Sequence, residues 1–176
     1  YDMEVSPASY DFFTFLHSAE ICRLRRGFKS IKLILVKGSN FNFRHDEIRT
    51  RSQNEIFFEN VILPGISLLP SCDSFMWLAR EEATLTLPKE QIFPKGYSTQ
   101  SPTNEFMGHE LVASKIRQNE IGFLKAPQYA CAIADQFVNQ QVGEKAFVTL
   151  TIREIERDDT NRTRRIDVDF WNKAID

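Results

Sequence analysis

The sequence predicts an α/β fold, a mainly parallel sheet with helices on both faces, and three observations predict it. First, three runs are rich in β-branched and aromatic residues: IKLILV at Ile31–Val36, SFMWLA at 74–79 and AFVTLTI at 146–152. Second, the stretches between them carry apolar residues every three or four positions, the period of an amphipathic helix. Third, strand and helix alternate along the chain, which favours parallel pairing over hairpins.

The elements follow in order. A short strand is expected at residues 2–5. A helix over 10–26 places Phe12, Phe15, Leu16, Ala19 and Cys22 on one stripe. Ser9 suits its cap and Asp11 its positive end. Arg23, Arg25 and Arg26 suit the negative end, and Gly27 fits the left-handed position just beyond. IKLILV is apolar almost throughout, as in a strand covered on both faces. Residues 39–51 read as loop. Ser52-Gln53-Asn54-Glu55 has the form of a capping box opening a helix to about residue 63, which Pro64-Gly65 breaks or kinks. After the 74–79 strand, Glu81-Glu82 begins a short helical turn. Residues 88–103 hold Pro88, Pro94, Gly96 and Pro102 and read as an irregular excursion. A helix over 104–119 turns Phe106, Leu111, Val112 and Ile116 inward, and Phe123-Leu124 suits a very short strand. Pro127 opens a further helix carrying Ala130, Ile133, Ala134, Phe137 and Val138, stopped near Gly143. The AFVTLTI strand, a polar loop to Arg165 and a helix over 167–174 then begin a new unit. The expected domains are 1–143 and the opening of a second, 144–176; the sequence reads as one α/β domain with the first fragment of a second, or as one domain with a short extension.

Composition narrows the function. The net charge is −2, with no excess of basic residues, so nucleic acid is not an expected partner. No apolar run approaches the roughly 20 residues of a membrane span. Cys22, Cys72 and Cys131 have no metal-type spacing; they read as buried small residues in a reducing, cytoplasmic setting. The chain lacks the glycine-rich dinucleotide and phosphate-loop fingerprints, the nucleophile elbow and the zinc-helix motif. No cofactor and no metal are expected.

Ligands of open α/β sheets bind beyond the carboxyl ends of the strands, which directs attention to the loops after Val5, Val36 and Ile152. In the second, Gly38 lets a backbone approach a ligand, and Asn40, Asn42, Arg44, His45 and Asp46 offer polar groups. Phe41 and Phe43 either stack on a sugar or tuck inward; a solvated loop pinned by two phenylalanines is the alternative. His17 and His109 read as structural or solvent-exposed. In the third loop Arg153, with Arg162, Arg164 and Arg165, suits phosphate oxygens. Glu154, Glu156, Asp158 and Asp159 share that loop, and a solvated charge run is the alternative there.

Residues 145–171 resemble the start of the C-terminal domain in bacterial surface-polysaccharide glycosyltransferases of two-domain GT-B architecture. The resemblance rests on Val148-Thr149-Leu150-Thr151-Ile152-Arg153-Glu154, on Asn161-Arg162 (the reverse of the family's Arg-Asn) and on Trp171. The opening, Tyr1-Asp2-Met3-Glu4-Val5-Ser6-Pro7, with the helix to Arg26-Gly27 and the Ile31–Val36 strand, is similar to the first βαβ of that family's N-terminal domain. The resemblance implies a Rossmann-like three-layer N-terminal domain on the acceptor side and a donor-side domain that has only begun. It implies transfer of a sugar from a nucleotide-sugar donor to a glycan or lipid-linked acceptor, without metal. Peripheral membrane contact would be compatible with such an acceptor. Gly38, Asn40 and Arg44 would face the acceptor, and Arg153 and Arg162 the donor diphosphate. An inverting enzyme also needs a general base, for which Asp46, His45 and Asp11 are unranked candidates. The fragment alone would be inactive. A nucleotide-sugar epimerase of the same architecture and a non-catalytic α/β binding module are the other two readings.

Overall fold

A computed structural model describes residues 1–45, 49–86, 90–104 and 123–141, with 85 and 86 given by backbone alone. The expected strand at 146–152 and nearly all of the expected helix at 104–119 lie outside these residues. The chain divides into two compact units, Tyr1–Cys131 and Ala132–Asp176.

The first unit mixes helices with a small parallel sheet. Helix α1 (Asp11–Arg26) leads to strand β1 (Ile31–Val36). Helix α2 (Arg51–Phe57), a π-helical turn (Phe58–Ile62) and helix α3 (Leu63–Ile66) lead to strand β2 (Cys72–Leu78) and helix α4 (Arg80–Thr86). Helix α5 (Gln128–Gln141) begins in the first unit and runs into the second. Phe123 and Leu124 form no strand and instead pack against the core.

β1 and β2 pair in parallel, with Leu33 opposite Phe75 and Leu35 opposite Trp77. On the far side of β1 the first residues add a rudimentary third strand. Asp2 bridges Val36 in parallel; Met3 N–H donates to Val36 O at 2.9 Å and Val36 N–H to Tyr1 O at 2.9 Å. β1 is therefore flanked on both edges, and the order along the chain is the order in space. With right-handed crossovers, such an order puts both connecting helices on one face. The core agrees: Phe12, Phe15 and Leu16 of α1, with Phe58, Ile62 and Ile66 of the second helix, form one cluster with Leu33, Leu35, Tyr1 and Met3.

The local signals explain the ends of these elements. At the start of α1 the cap position is Tyr10 rather than the expected Ser9 and carries no side-chain cap bond; Ser9 Oγ accepts from Asp11 N–H at 3.2 Å, one residue further in. At its end Gly27 has φ +69° and donates to Leu24 O, while Phe28 N–H donates to Arg23 O. That double bond is the glycine-terminated cap the sequence indicates. The second helix begins two residues earlier than expected. Thr50, not Ser52, is the cap: its hydroxyl accepts from Gln53 N–H, and the Gln53 side chain accepts from Thr50 N–H. Pro64 does not break this helix. The π-helical turn lets Leu63 N–H reach Phe58 O and leaves Pro64 in the first turn of α3, where its missing N–H costs little. A Cβ on Gly65 would stand 2.7 Å from the Phe13 ring, so glycine allows α3 to lie against α1.

Two strand expectations are revised. β1 is buried at Leu33, Leu35 and Val36, but Lys32 is exposed and Ile31 and Ile34 are half-buried. β2 exposes Phe75, Met76 and Trp77. Cys22 and Cys72 are half-buried, while Cys131 is exposed rather than buried. Among the described residues no helix is long and apolar enough to cross a membrane.

A buried ion pair ties α1 to the entry of β2. Glu20 is 6% exposed; Arg23 donates to both its oxygens at 2.8 Å, and Ser71 Oγ donates at 2.5 Å. Burial alone would raise the Glu20 pKa, but the Arg23 and Ser71 bonds and the Arg23 charge outweigh it and hold the carboxyl below its ordinary value of 4.5. A carboxyl depressed in the folded state stabilises the fold above its unfolded pKa, and that stabilisation is lost as pH falls through the folded value. The wild type should therefore lose stability below about pH 4.5 more steeply than Glu20→Gln, as urea midpoints measured from pH 7 to pH 3 would show.

Candidate functional site

All three parallel segments end on one side, and their carboxyl ends carry a polar cluster centred on Asp2. Asp2 stands at the end of the first segment and is 4% exposed. Its Oδ1 accepts from Arg80 at 2.7 Å and from Glu4 N–H at 2.9 Å; its Oδ2 accepts from the Tyr97 hydroxyl at 2.6 Å. Arg80 follows β2 directly and also donates to Thr99 O at 2.8 Å. One carboxylate thus links the turn after the first segment, the start of α4 and the 90–104 excursion. Burial favours the neutral form of Arg80, but the Asp2 bond and charge prevail and raise its pKa, so the guanidinium stays charged. Burial, then the Asp2 bond and charge, raise the Tyr97 phenol well above its ordinary value, keeping it a donor.

The loop after β1 is a tight turn rather than an open one. Gly38 N–H donates to Asn42 O, and Asn40 and Phe43 exchange backbone bonds, each at 2.9 Å. Phe41 and Asn42 have φ +51° and +74°. Gly38 is required because a Cβ there would meet Phe43 backbone at 2.4 Å and Met3 O at 2.7 Å; the close approach is to the chain itself. The two phenylalanines divide. Phe43 enters the core, 4% exposed and edge-on to Phe58, while Phe41 is exposed beneath the Arg51 guanidinium at 4.6 Å. Glu4 holds this turn from the neighbouring segment, accepting from Ser39 N–H at 2.6 Å and Ser39 Oγ at 2.9 Å.

Of the sequence-predicted acceptor residues, Gly38 and Asn40 share this turn, and Arg44 follows it, half-buried and close enough to Tyr1 to act on its phenol. Arg153 and Arg162 lie outside the described residues, as does Asp46. His45 is exposed, and Asp11 accepts from Ser9 Oγ at the start of α1. Sequence reasoning missed Asp2, Glu4, Arg80 and Tyr97. The signal for Asp2 and Arg80 was available: each is a charged residue at the carboxyl end of a strand.

Lys37, with its ammonium 5.1 Å from the Trp77 ring centre, and Asn40 line the same edge. Ser6 Oγ is buried near it and has no hydrogen-bond partner among the described residues. This edge presents Lys37 and the carboxamides of Asn40 and Asn42 as polar groups, while the amides of Gly38, Ser39, Asn40 and Phe43 are taken by internal bonds. No group of three or more metal-type ligands occurs among the described residues. No family model, curated protein or solved structure matches this chain.

Removing the Asp2 carboxylate leaves Arg80 without its anion and Tyr97 without its acceptor. Asp2→Ala should cost about 3–5 kcal/mol in chemical denaturation, whereas Tyr97→Phe, which deletes one hydroxyl, should cost about 1–2 kcal/mol.

Proposed function

We propose that this chain is the acceptor-side domain, with the opening of the donor-side domain, of a GT-B-type glycosyltransferase. Its reaction moves a sugar from a nucleotide-sugar donor to a glycan or lipid-linked acceptor in cytoplasmic synthesis of surface polysaccharide. One observation carries the reading: parallel strands alternating with helices end on a common polar edge, in the segment whose sequence resembles the first βαβ of that family. In this reading the domain is Rossmann-like, with three layers.

The chemistry divides between the two sides. The turn of Gly38 and Asn40, with Arg44 beside it, holds the acceptor. Arg153 and Arg162 hold the donor diphosphate, whose growing charge in the transition state suits bidentate guanidinium contacts. No metal is needed for that role. The general base is unassigned.

One observation favours a second reading, a non-catalytic α/β binding module. Both carboxylates that the carboxyl edge places centrally, Asp2 and Glu4, are occupied by internal hydrogen bonds and have little freedom to take a proton from an acceptor.

Calorimetric titration of the full-length protein with a panel of nucleoside diphosphates separates the two. The transferase reading expects one nucleoside diphosphate to bind, and Arg153→Ala to weaken it about tenfold or more, the loss of one charge-assisted contact. Equal affinity in both proteins removes Arg153 from the site. Absence of binding to every nucleotide favours the binding module.

A further inference from the structure

One cavity of the first unit, about 570 Å³, is lined by α1, β1 and the 91–97 segment. Its floor is Ile34 and Val36 with Met76 of β2. One wall is the flank of α1 at Ala19 and Phe15, and the facing wall is the 91–97 segment at Phe93. Phe93 is fixed there by its ring contact with Phe15, centroids 5.5 Å apart. The volume is inside the roughly 300–1,000 Å³ range of small-molecule sites. The floor follows a six-residue strand, so the trough runs for roughly 17 Å.

Charge is distributed unequally along this trough. At the end where β1 begins, its lining includes Arg23, Arg26, Lys29 and Lys32. Arg23 is neutralised by Glu20. Arg26 donates to the backbone carbonyl of Glu90 and so keeps its charge unbalanced by that contact. Lys29 and Lys32 are exposed, and the only carboxylate acting on Lys32 among the described interactions is Asp73, itself hydrogen-bonded to Ser30 and Ser74. Among the described residues the one carboxylate that lines the trough, Asp2, stands at the other end and is already paired with Arg80.

We propose that this trough is a binding site for a single-chain anionic amphiphile, with the alkyl chain over Ile34, Val36 and Met76 and the acidic head group among Arg26, Lys29 and Lys32. An apolar floor rewards burial of methylenes, and cations confined to one mouth orient a ligand that carries its charge at one end. A neutral chain would leave those cations without a partner, and a cationic one would meet repulsion. The site does not depend on the transferase reading.

The test is calorimetric titration of the whole chain with dodecyl phosphate below its micellar concentration, compared with decyl phosphate and dodecyltrimethylammonium. A double variant, Lys29→Ser with Lys32→Ser, removes two of the exposed charges and leaves the apolar walls intact. The expected result is saturable binding of one dodecyl phosphate, weakened at least tenfold in the double variant. Decyl phosphate should bind more weakly by about fourfold per methylene removed. The proposal is overturned by equal affinity in wild type and variant, by equal affinity for the trimethylammonium amphiphile, or by the absence of saturable binding. Circular dichroism of the variant distinguishes loss of a binding charge from loss of fold.

Discussion

The carboxylate of Asp2 is the constraint on which the carboxyl edge depends. The first segment contributes one bridge to the sheet and a few backbone bonds to β1, too little to hold a strand by itself. Asp2 supplies the rest by accepting from Arg80, Tyr97 and Glu4 N–H at once, bringing residues nearly a hundred positions apart to one point. A buried carboxylate is tolerated only when its lone pairs are filled. That requirement sets where the start of α4 and the 97–99 stretch must lie. Glu4 extends the same logic by one residue, fixing the turn after β1 through Ser39.

This arrangement shapes what chemistry the edge can perform. Carboxylates engaged in structural bonds are poor general bases, so the edge offers cations and carboxamides for binding more readily than a proton acceptor. A catalytic base, if the chain has one, belongs among groups that are less constrained. The turn after β1 is equally committed to its own backbone: Gly38 is glycine because Phe43 and Met3 pass within a Cβ's reach.

Much of the fold was legible because its signals are local. The stripe on α1 and Gly27 after it, and the apolar run of β1, act through neighbours a turn or a strand away, and each appears where the sequence places it. The shift of the helix cap from Ser52 to Thr50 has the same local origin: both Thr50–Gln53 and Ser52–Glu55 fit the capping pattern, and the backbone turns extended at Thr50. What could not be read was long-range. Asp2 looks like an ordinary polar residue near an end, and nothing near it in sequence announces Arg80 or Tyr97. Gly38 signals backbone freedom, but the sequence does not reveal that the close neighbour is Met3 rather than a ligand. The exposure of Phe75, Met76 and Trp77 was hidden for the same reason, since an apolar run does not tell which of its side chains another layer will cover.

The central claim is that the first residues form a parallel strand of this sheet, locked by the Asp2 knot. Amide hydrogen exchange resolved to single residues tests it most directly. The account predicts that Met3 and Val36, whose amides bond across this pair, are protected together with Lys37, which bonds to Leu78 on the other edge of β1. In Asp2→Asn, protection of Met3 and Val36 should fall further than that of Lys37. Met3 exchanging at the rate of an unstructured chain while Lys37 stays protected in the wild type would contradict it.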